Sequence, residues 1–140
     1  MPQFKIIKSK KLEASLAKNK RQYLVGNLGL PQELEHIPSK ELEIGISDYK
    51  GGYRENPHYH PKQTEFCWIL WGETEYYDVS NDKIHHFSKG DFYCIESGVI
   101  YAQKIFKKTR IYFVKTPAVN DKTLRELSLK VERWLNVKNK

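Results

Sequence analysis

The sequence is poor in cysteine and lacks a long apolar run, and both shortages narrow the kinds of protein it can be. Among 140 residues there are two cysteines, Cys67 and Cys94, which make neither a disulfide framework nor a zinc-ribbon pattern. The longest apolar run, residues 66–71, is far shorter than the roughly 20 residues that cross a bilayer. The N-terminus lacks the apolar core of a signal peptide. We therefore expect a reduced, cytoplasmic protein without a membrane partner.

Internal repeats, low-complexity tracts and linkers are also missing, so a single domain over residues 1–140 is expected. Its composition supports a real core, since 39% of the residues are hydrophobic and 13% are aromatic. Nine tyrosines and three tryptophans indicate a core or cavity lined by large amphipathic rings.

A net charge of +7 raises the question of nucleic-acid binding. The lysines are scattered, however, and form neither a helical basic stripe nor a basic–aromatic RNA-binding motif. Nucleic acid is therefore not an expected partner. A weak attraction to anionic small molecules is the more modest implication of the charge.

Between residues 41 and 117 the apolar residues recur with a period of two. Leu42, Ile44 and Ile46 alternate with polar or small residues, as in a half-buried strand. Turn-forming residues separate about eight such short segments, and no helical pattern lies between them. This region is therefore predicted to be an all-β antiparallel sandwich or barrel.

Residues 1–40 are less regular than this region. A helical spacing at residues 11–20 and a possible short strand at residues 4–7 are followed by turns at glycine and proline. We expect an N-terminal arm that packs on a sheet or on a partner subunit. No chemistry is visible in it.

Beyond the proposed barrel the apolar spacing becomes helical, at i, i+3, i+7, i+10 and i+11, for Leu124, Leu127, Val131, Trp134 and Leu135. Thr123 and Glu126 offer a capping box, and Asn120 or Asp121 could cap instead. We predict an amphipathic C-terminal helix over residues 118–140 that seals an open end or edge of the barrel or joins a dimer.

The strongest chemical signal is a pair of histidines two positions apart. His58 and His60 share one face of a predicted strand, and Glu65 opens the next strand. Two imidazoles and a carboxylate from neighbouring strands can hold a metal ion or transfer protons. By strand parity, Cys67 shares the face of Glu65 and lies near this set, either as a small buried hydrophobe or as a ligand contact.

The same parity assigns the other residues of this apolar strand. Ile69 and Trp71 share the face of Glu65 and point into the barrel, whereas Phe66, Trp68 and Leu70 face an outer layer.

The stretch around these residues resembles the first conserved motif of the cupin superfamily. That motif reads Gly, five residues, His-x-His, three or four residues, Glu, six residues, Gly, and every spacing is met here by Gly52, His58, His60, Glu65 and Gly72. The resemblance implies a small cupin-type jelly-roll β-barrel, often dimeric, with a pocket inside the barrel. A homodimer with a small-molecule ligand is therefore expected.

The second cupin motif is only partly present. The corresponding positions hold Gly90, Glu96, Gly98, Tyr101 and Ile105. Both glycines fit the motif, while its proline, histidine and asparagine are replaced. In metal-binding cupins that histidine is the fourth metal ligand, so Tyr101 stands where it would be.

The resemblance implies a divalent metal (Fe, Mn, Ni or Zn) on His58, His60 and Glu65, a set that also suits iron with open coordination positions. It implies a metal-dependent enzyme, of the dioxygenase or isomerase type, acting on a small polar metabolite that is sugar-like or organic-acid-like. Neutral phenol is a poor metal ligand, because its pKa is about 10. Tyr101 is therefore expected to be a hydrogen-bond donor or acid, and Gln103, on the same strand face, a ligand contact.

Other hypotheses stay open. Without a metal, a histidine base such as His60 and the acid Tyr101 can move protons next to a carbonyl. That arrangement is similar to the one in cupin-type nucleotide-sugar epimerases and isomerases. The pocket could instead belong to a non-catalytic sensor, or His58 and His60 could hydrogen-bond Glu65 and only stabilise the barrel.

Overall fold

Two β-sheets, with a helix near each end of the chain, make up the computed structural model, which describes residues 1–137. The helices are α1 (Ser9–Lys18) and α2 (Leu129–Asn136). The strands are β1 (Arg21–Gly26), β2 (Ile37–Pro38), β3 (Glu43–Tyr49), β4 (Arg54–Tyr59), β5 (Thr64–Trp71), β6 (Glu73–Asp78), β7 (Lys83–Ser88), β8 (Phe92–Ile95), β9 (Tyr101–Ile105), β10 (Thr109–Thr116) and β11 (Thr123–Leu124).

The strand order is that of a jelly roll. The six-stranded sheet has the order β2-β1-β3-β10-β5-β8, and the five-stranded sheet has the order β11-β4-β9-β6-β7. From β3 to β6, and again from β8 to β11, successive strands alternate between the two sheets, so the inner faces enclose a barrel interior. The all-β jelly-roll prediction is confirmed.

The barrel interior is filled by residues that alternate along the strands. On β5, Cys67 and Ile69 point inward and are 1% and 0% exposed. Tyrosine rings dominate the rest of this core, as the composition indicated, and the hydroxyls of Tyr76 and Tyr93 hydrogen-bond each other. The buried members of the cluster are Tyr49, Cys67, Ile69, Tyr76, Tyr93, Tyr101, Ile105, Ile111 and Phe113.

The outer face of β5 differs from the prediction. No outer layer of residues 1–137 covers Trp68, whose side chain is 51% exposed, and Phe66 stacks instead on Phe92, which is itself 65% exposed. Helix α1 contacts β1 and reaches β10 through the ion pair of Glu13 with Arg110, but Trp68 and Phe92 stay exposed. Parity thus identified which residues face outward but was wrong about what covers them.

Trp71 also departs from its predicted inward position. The register between β5 and β10 shifts next to Arg110, which is the effect of a bulge, and Trp71 is 39% exposed. The guanidinium of Arg110 lies 4.4 Å from the centroid of the indole ring. The bulge therefore turns the end of this strand away from the barrel interior.

The N-terminal region contributes strands to the six-stranded sheet, whereas the sequence predicted an arm that packs on a sheet or on a partner subunit. Residues 4–7 form no strand, but β1 pairs antiparallel with β3 and belongs to the six-stranded sheet. Side-chain amides replace missing strand partners here: Gln32 bonds both backbone groups of Tyr23, and Gln22 accepts from the backbone N–H of Leu34. The strand was missed because its inward residues, Arg21 and Tyr23, do not read as an apolar face.

The C-terminal helix is shorter than predicted. Thr123 belongs to β11, which pairs with β4, so the proposed capping box with Glu126 is wrong. Helix α2 begins later, at Leu129, and is capped by Ser128, whose hydroxyl accepts a hydrogen bond from the N–H of Val131. The helix packs on the outer face of the five-stranded sheet, through Tyr77, Ala102, Val131, Trp134 and Leu135. The last predicted residues, 138–140, lie outside the described part of the chain.

Both cysteines are free, with Cys67 buried and Cys94 exposed. Within residues 1–137, neither helix has the length and apolar character needed to cross a bilayer. The single-domain organisation, the homodimer and the cytoplasmic location stay predictions.

Candidate functional site

The side chains that the sequence predicted for a site all line one cavity between the two sheets. They are His58, His60, Glu65, Cys67, Tyr101 and Gln103. The cavity has a volume of about 70 Å³, well below the roughly 300–1,000 Å³ of pockets for drug-sized ligands. A larger groove of about 730 Å³ runs between the N-terminal segment and residues 33–38, and it holds none of these residues.

Strand pairing places His58 against Tyr101. His58 on β4 is the register partner of Tyr101 on β9, and the two ring centroids are 4.4 Å apart. A register shift between Glu55 and His58 bends β4 just before the histidine. His60 follows the end of β4, and its carbonyl accepts the N–H of Gly98 at 2.8 Å. Gly98 has φ of 89°, which favours glycine, so this second-motif residue shapes the turn beside the site.

The imidazole of His58 is buried and neutral. Its Nδ1 donates to the carbonyl of Asn56 at 3.0 Å, which leaves Nε2 as the acceptor, 3.8 Å from Oε1 of Glu55. Burial lowers the pKa of His58 and outweighs the opposing effect of the Glu55 carboxylate. The ring can therefore accept a proton or a hydrogen bond at Nε2.

His60 is held by a carboxylate that the sequence had offered only as a helix cap. Its Nδ1 lies 3.1 Å from Oδ1 of Asp121, while Oδ2 of Asp121 accepts the backbone N–H groups of Lys62 and Gln63. Although burial acts in the other direction, the Lys62 amide and the His60 ring lower the pKa of Asp121. The ionised carboxylate fixes Nδ1 of His60 as the donor and leaves Nε2 as the acceptor.

Glu65 is an ionised carboxylate bonded to a neutral phenol. The hydroxyl of Tyr101 donates to Oε2 of Glu65 at 3.0 Å, and Sγ of Cys67 donates to Oε1 at 3.5 Å. Burial opposes ionisation, but Lys115, His60 and the phenol together lower the pKa of Glu65.

The phenol and the thiol beside Glu65 both stay protonated. Burial, followed by the negative charge of Glu65, raises the pKa of Tyr101 well above its usual value. The same two causes raise the pKa of Cys67, so this cysteine is a poor nucleophile. Tyr101 is thus suited to donate a hydrogen bond, and Cys67 to pack against the site.

Gln103 lies on the same wall as Tyr101 but its amide is already engaged. Its Nε2 donates to Oγ1 of Thr74 at 3.0 Å, and that hydroxyl donates in turn to the carbonyl of Lys104. The side chain lines the cavity, and its amide nitrogen is not available without breaking this chain of bonds.

Several charged residues of the cavity were missed by the sequence analysis. Arg21, Lys115 and Lys122 bring positive charge to its wall, and Glu55 adds a carboxylate that pairs with Lys122. Lys115 carried a usable signal, because it alternates with Ile111 and Phe113 and so shares their inward face. The sequence contains no such signal for Arg21, because its position depends on the pairing of β1 with β3.

The donors only partly suit a metal ion. Each motif histidine has its Nδ1 anchored by an acceptor, which is the usual arrangement around metal-ligating histidines. However, both oxygens of Glu65 are engaged by Tyr101 and Cys67. Within residues 1–137, no three His, Cys, Asp or Glu side chains converge closely enough to hold a metal. The residues as arranged thus fit a metal ion only in part, and the metal set His58, His60 and Glu65 stays a prediction.

Comparison with known proteins identifies the fold. No protein-family model and no curated protein matches the sequence. Among solved structures, a double-stranded β-helix protein from Klebsiella pneumoniae is 19% identical, with a TM-score of 0.56 over 63% of this chain and 73% of its own. KdgF from Halomonas sp. is 14% identical, with a TM-score of 0.56 over 72% of this chain and 80% of its own.

A third structure is larger than this protein. The DMSP lyase DddQ from Ruegeria pomeroyi is 22% identical, with a TM-score of 0.59, and the match covers 74% of this chain but 50% of the lyase. These similarities show the architecture: the chain has a double-stranded β-helix fold. The fold that the first motif implied is confirmed.

Proposed function

We propose that this cupin-fold protein binds a small polar metabolite inside the barrel and transfers a proton on it, with His60 as the base and Tyr101 as the hydrogen-bond donor or acid. The observation that supports this most is the pair of His60 and Asp121, whose atoms Nδ1 and Oδ1 are 3.1 Å apart. A carboxylate in this position orients the imidazole and stabilises its protonated form after Nε2 has taken a proton.

The opposite partner is a phenol that stays neutral. Because the pKa of Tyr101 is raised by burial and by Glu65, the hydroxyl keeps its proton at neutral pH. It can donate to a ligand oxygen when that oxygen replaces the carboxylate of Glu65 as its acceptor. The neutral ring of His58, next to Tyr101, supplies a further acceptor at Nε2.

The size of the cavity limits the ligand. A volume of about 70 Å³ leaves room for a few non-hydrogen atoms, and a nucleotide-sugar needs a pocket nearer the usual several hundred Å³. This supports a small metabolite over the nucleotide-sugar substrates of the epimerase-like hypothesis.

Proton exchange in deuterated water tests the proposal without knowledge of the reaction. Small hydroxy acids, keto acids and aldoses are incubated with the protein, and loss of C–H signals is followed by proton NMR. We expect exchange on at least one compound, reduced about 100-fold or more in His60→Gln and in Tyr101→Phe. The control is His86→Gln, on the surface strand β7. Equal exchange in all three variants would contradict the proposed roles.

A metal-dependent reaction is the second candidate, and the anchored Nδ1 atoms of His58 and His60 favour it. Glu65 would have to complete that set, and its oxygens are engaged by Tyr101 and Cys67. Metal analysis separates the two candidates.

We also propose that two copies of the chain associate through the exposed outer face of β5 and β8. Trp68 and Phe92 are 51% and 65% exposed on neighbouring strands, and a patch of this kind is unusual on a monomer. Light scattering coupled to gel filtration is expected to give a dimer for the natural chain and a monomer for Trp68→Ser combined with Phe92→Ser. A monomeric natural chain at micromolar concentration would contradict this.

A further inference from the structure

A buried lysine faces the cavity without a bonded partner. Lys115, on β10, is 8% exposed and lines the wall opposite His58 and Tyr101. Within residues 1–137 its Nζ makes no hydrogen bond or ion pair, and an aromatic ring, that of Phe113, lies 4.9 Å away. Because no fully buried polar side-chain atom of these residues lacks a partner, this nitrogen reaches the open space of the cavity and can bind an acceptor that enters it.

Arg21 is the second cation on this wall, and neutral groups hold it in place. Its Nε donates to Oγ of Ser47 at 2.7 Å, and its Nη2 donates to the hydroxyl of Tyr49 at 2.9 Å. Among the described residues no carboxylate forms an ion pair with it, and Nη1 makes no hydrogen bond. The guanidinium is therefore oriented, and its Nη1 is left to donate to a ligand.

The carboxylates nearby do not balance these cations. Glu65 attracts both Lys115 and Arg21, but its oxygens are bonded to uncharged groups. Glu55 pairs with Lys122, so that pair is neutral as a whole. Glu43, opposite Lys115 in the strand register, accepts from Gln63 and does not line the cavity. Among the side chains that line the cavity, three cations (Arg21, Lys115 and Lys122) thus outnumber the two carboxylates by one, while the ionised Asp121 lies behind His60 and Glu43 behind Lys115.

We propose that the ligand of this barrel is a small organic acid, whose carboxylate binds Nζ of Lys115 and Nη1 of Arg21 while its remaining polar atoms face His60 and Tyr101. This inference rests on the proposed function and narrows it. Nη1 of the guanidinium and Nζ of the ammonium can each donate a charge-assisted hydrogen bond to the carboxylate. A neutral sugar brings no negative charge to pair with either cation, so the site is expected to bind it more weakly than an acid.

Matched acids and amides test the charge requirement directly. Binding of acetate, glycolate, malonate and succinate is measured by calorimetry at pH 7 and low salt, beside acetamide, glycolamide, malonamide and succinamide. At least one acid is expected to bind, and to bind about tenfold or more tighter than its amide, because the hydrogen bonds to it are charge-assisted. This comparison uses the natural chain and does not depend on any variant folding.

Variants then assign the effect to residues. Lys115→Met and Arg21→Gln are each expected to weaken acid binding about tenfold or more and to weaken amide binding less, because only the acid loses an ionic hydrogen bond. The matched control is Lys104→Met, which also removes a buried lysine but one whose Nζ donates to the carbonyl of Trp134, away from the cavity. It should leave acid binding as it is. Circular dichroism verifies that each variant is folded.

The outcomes separate this inference from the proposed function. If the amides bind as tightly as the acids, if no acid binds, or if Lys115→Met matches the control, the inference is overturned. Exchange of a neutral aldose that depends on His60 would leave the proposed function standing and still overturn the inference. Acid binding that depends on Lys115, with no proton exchange on any compound, would support the inference and overturn the proton transfer.

Discussion

Two regions of this protein each bury a lysine, and they do so in different ways. On the outer face of the five-stranded sheet, Lys104 is 2% exposed and its Nζ donates to the carbonyl of Trp134 at 2.7 Å, near the end of α2. In the barrel interior, Lys115 is 8% exposed and has no hydrogen bond among residues 1–137. The first lysine completes a structural contact, whereas the second retains the capacity to bind something else.

The pKa shifts of the two lysines differ in the same sense. Burial lowers the pKa of Lys104, with only partial compensation from Glu75. Burial also acts against the charge of Lys115, but the Glu65 carboxylate prevails and raises its pKa. In the helix region, the buried Lys104 thus has its hydrogen-bond partner within the protein. In the barrel, Lys115 stays charged and has no hydrogen-bond partner among residues 1–137. Such an arrangement is typical of a binding site.

The largest expected effect is on the helix region. Trp134→Ala should lower the free energy of unfolding by about 3–5 kcal/mol, because it empties the contact between α2 and Tyr77 and removes a hydrogen-bond donor to Glu75. Urea unfolding at neutral pH measures the change. A loss below about 1 kcal/mol would mean that this helix is not an essential layer of the fold.

The two lysines themselves give the next largest difference. Lys104→Met should destabilise the fold by about 1–3 kcal/mol, since it leaves the carbonyl of Trp134 buried without its donor. Lys115→Met should change stability by less than about 1 kcal/mol, because the lost attraction to Glu65 is offset by removing a buried ammonium. Parallel urea titrations decide the order. If Lys115→Met is the more damaging, Lys115 is a structural residue and the comparison fails.

The smallest expected effect concerns pH. Burial lowers the pKa of His58 in the folded state, whereas an unfolded histidine has a pKa of about 6.5. Between these values the unfolded chain binds more protons, so the free energy of unfolding falls as pH falls below about 6.5. The stability of His58→Gln should decline less over this range. Curves of equal slope for the two proteins would show that His58 is not buried in its neutral form.

The sequence predicted one wall of the barrel better than the other. His58, His60, Glu65 and Tyr101 were recognised because they follow a motif and strand parity, and all of them line the cavity. Lys115 obeys the same parity but belongs to no motif. Arg21, Asp121 and the true helix cap depend on which strands pair, and pairing between distant segments cannot be read from local periodicity. The start of α2 shows this well, because pairing of β11 with β4 overrides the local helical pattern.

The outer surface shows the same limit. Parity correctly placed Phe66 and Trp68 on the face away from the cavity, but an apolar face alone does not reveal its partner. A second copy of the chain is the partner that we propose. The bulge that exposes Trp71 likewise depends on how β5 and β10 pair, so the sequence of β5 alone does not predict it.

Metal analysis of untagged protein tests the central claim most directly, namely that the barrel interior is a charged acid–base site that works without a metal. The protein is purified without chelators, its metal content is measured, and the measurement is repeated after incubation with iron, manganese, nickel or zinc. We predict a substoichiometric content throughout, with no difference between the natural chain and His58→Ala or Glu65→Ala. One divalent ion per chain, lost in both variants, would contradict the account and establish the three-ligand metal centre.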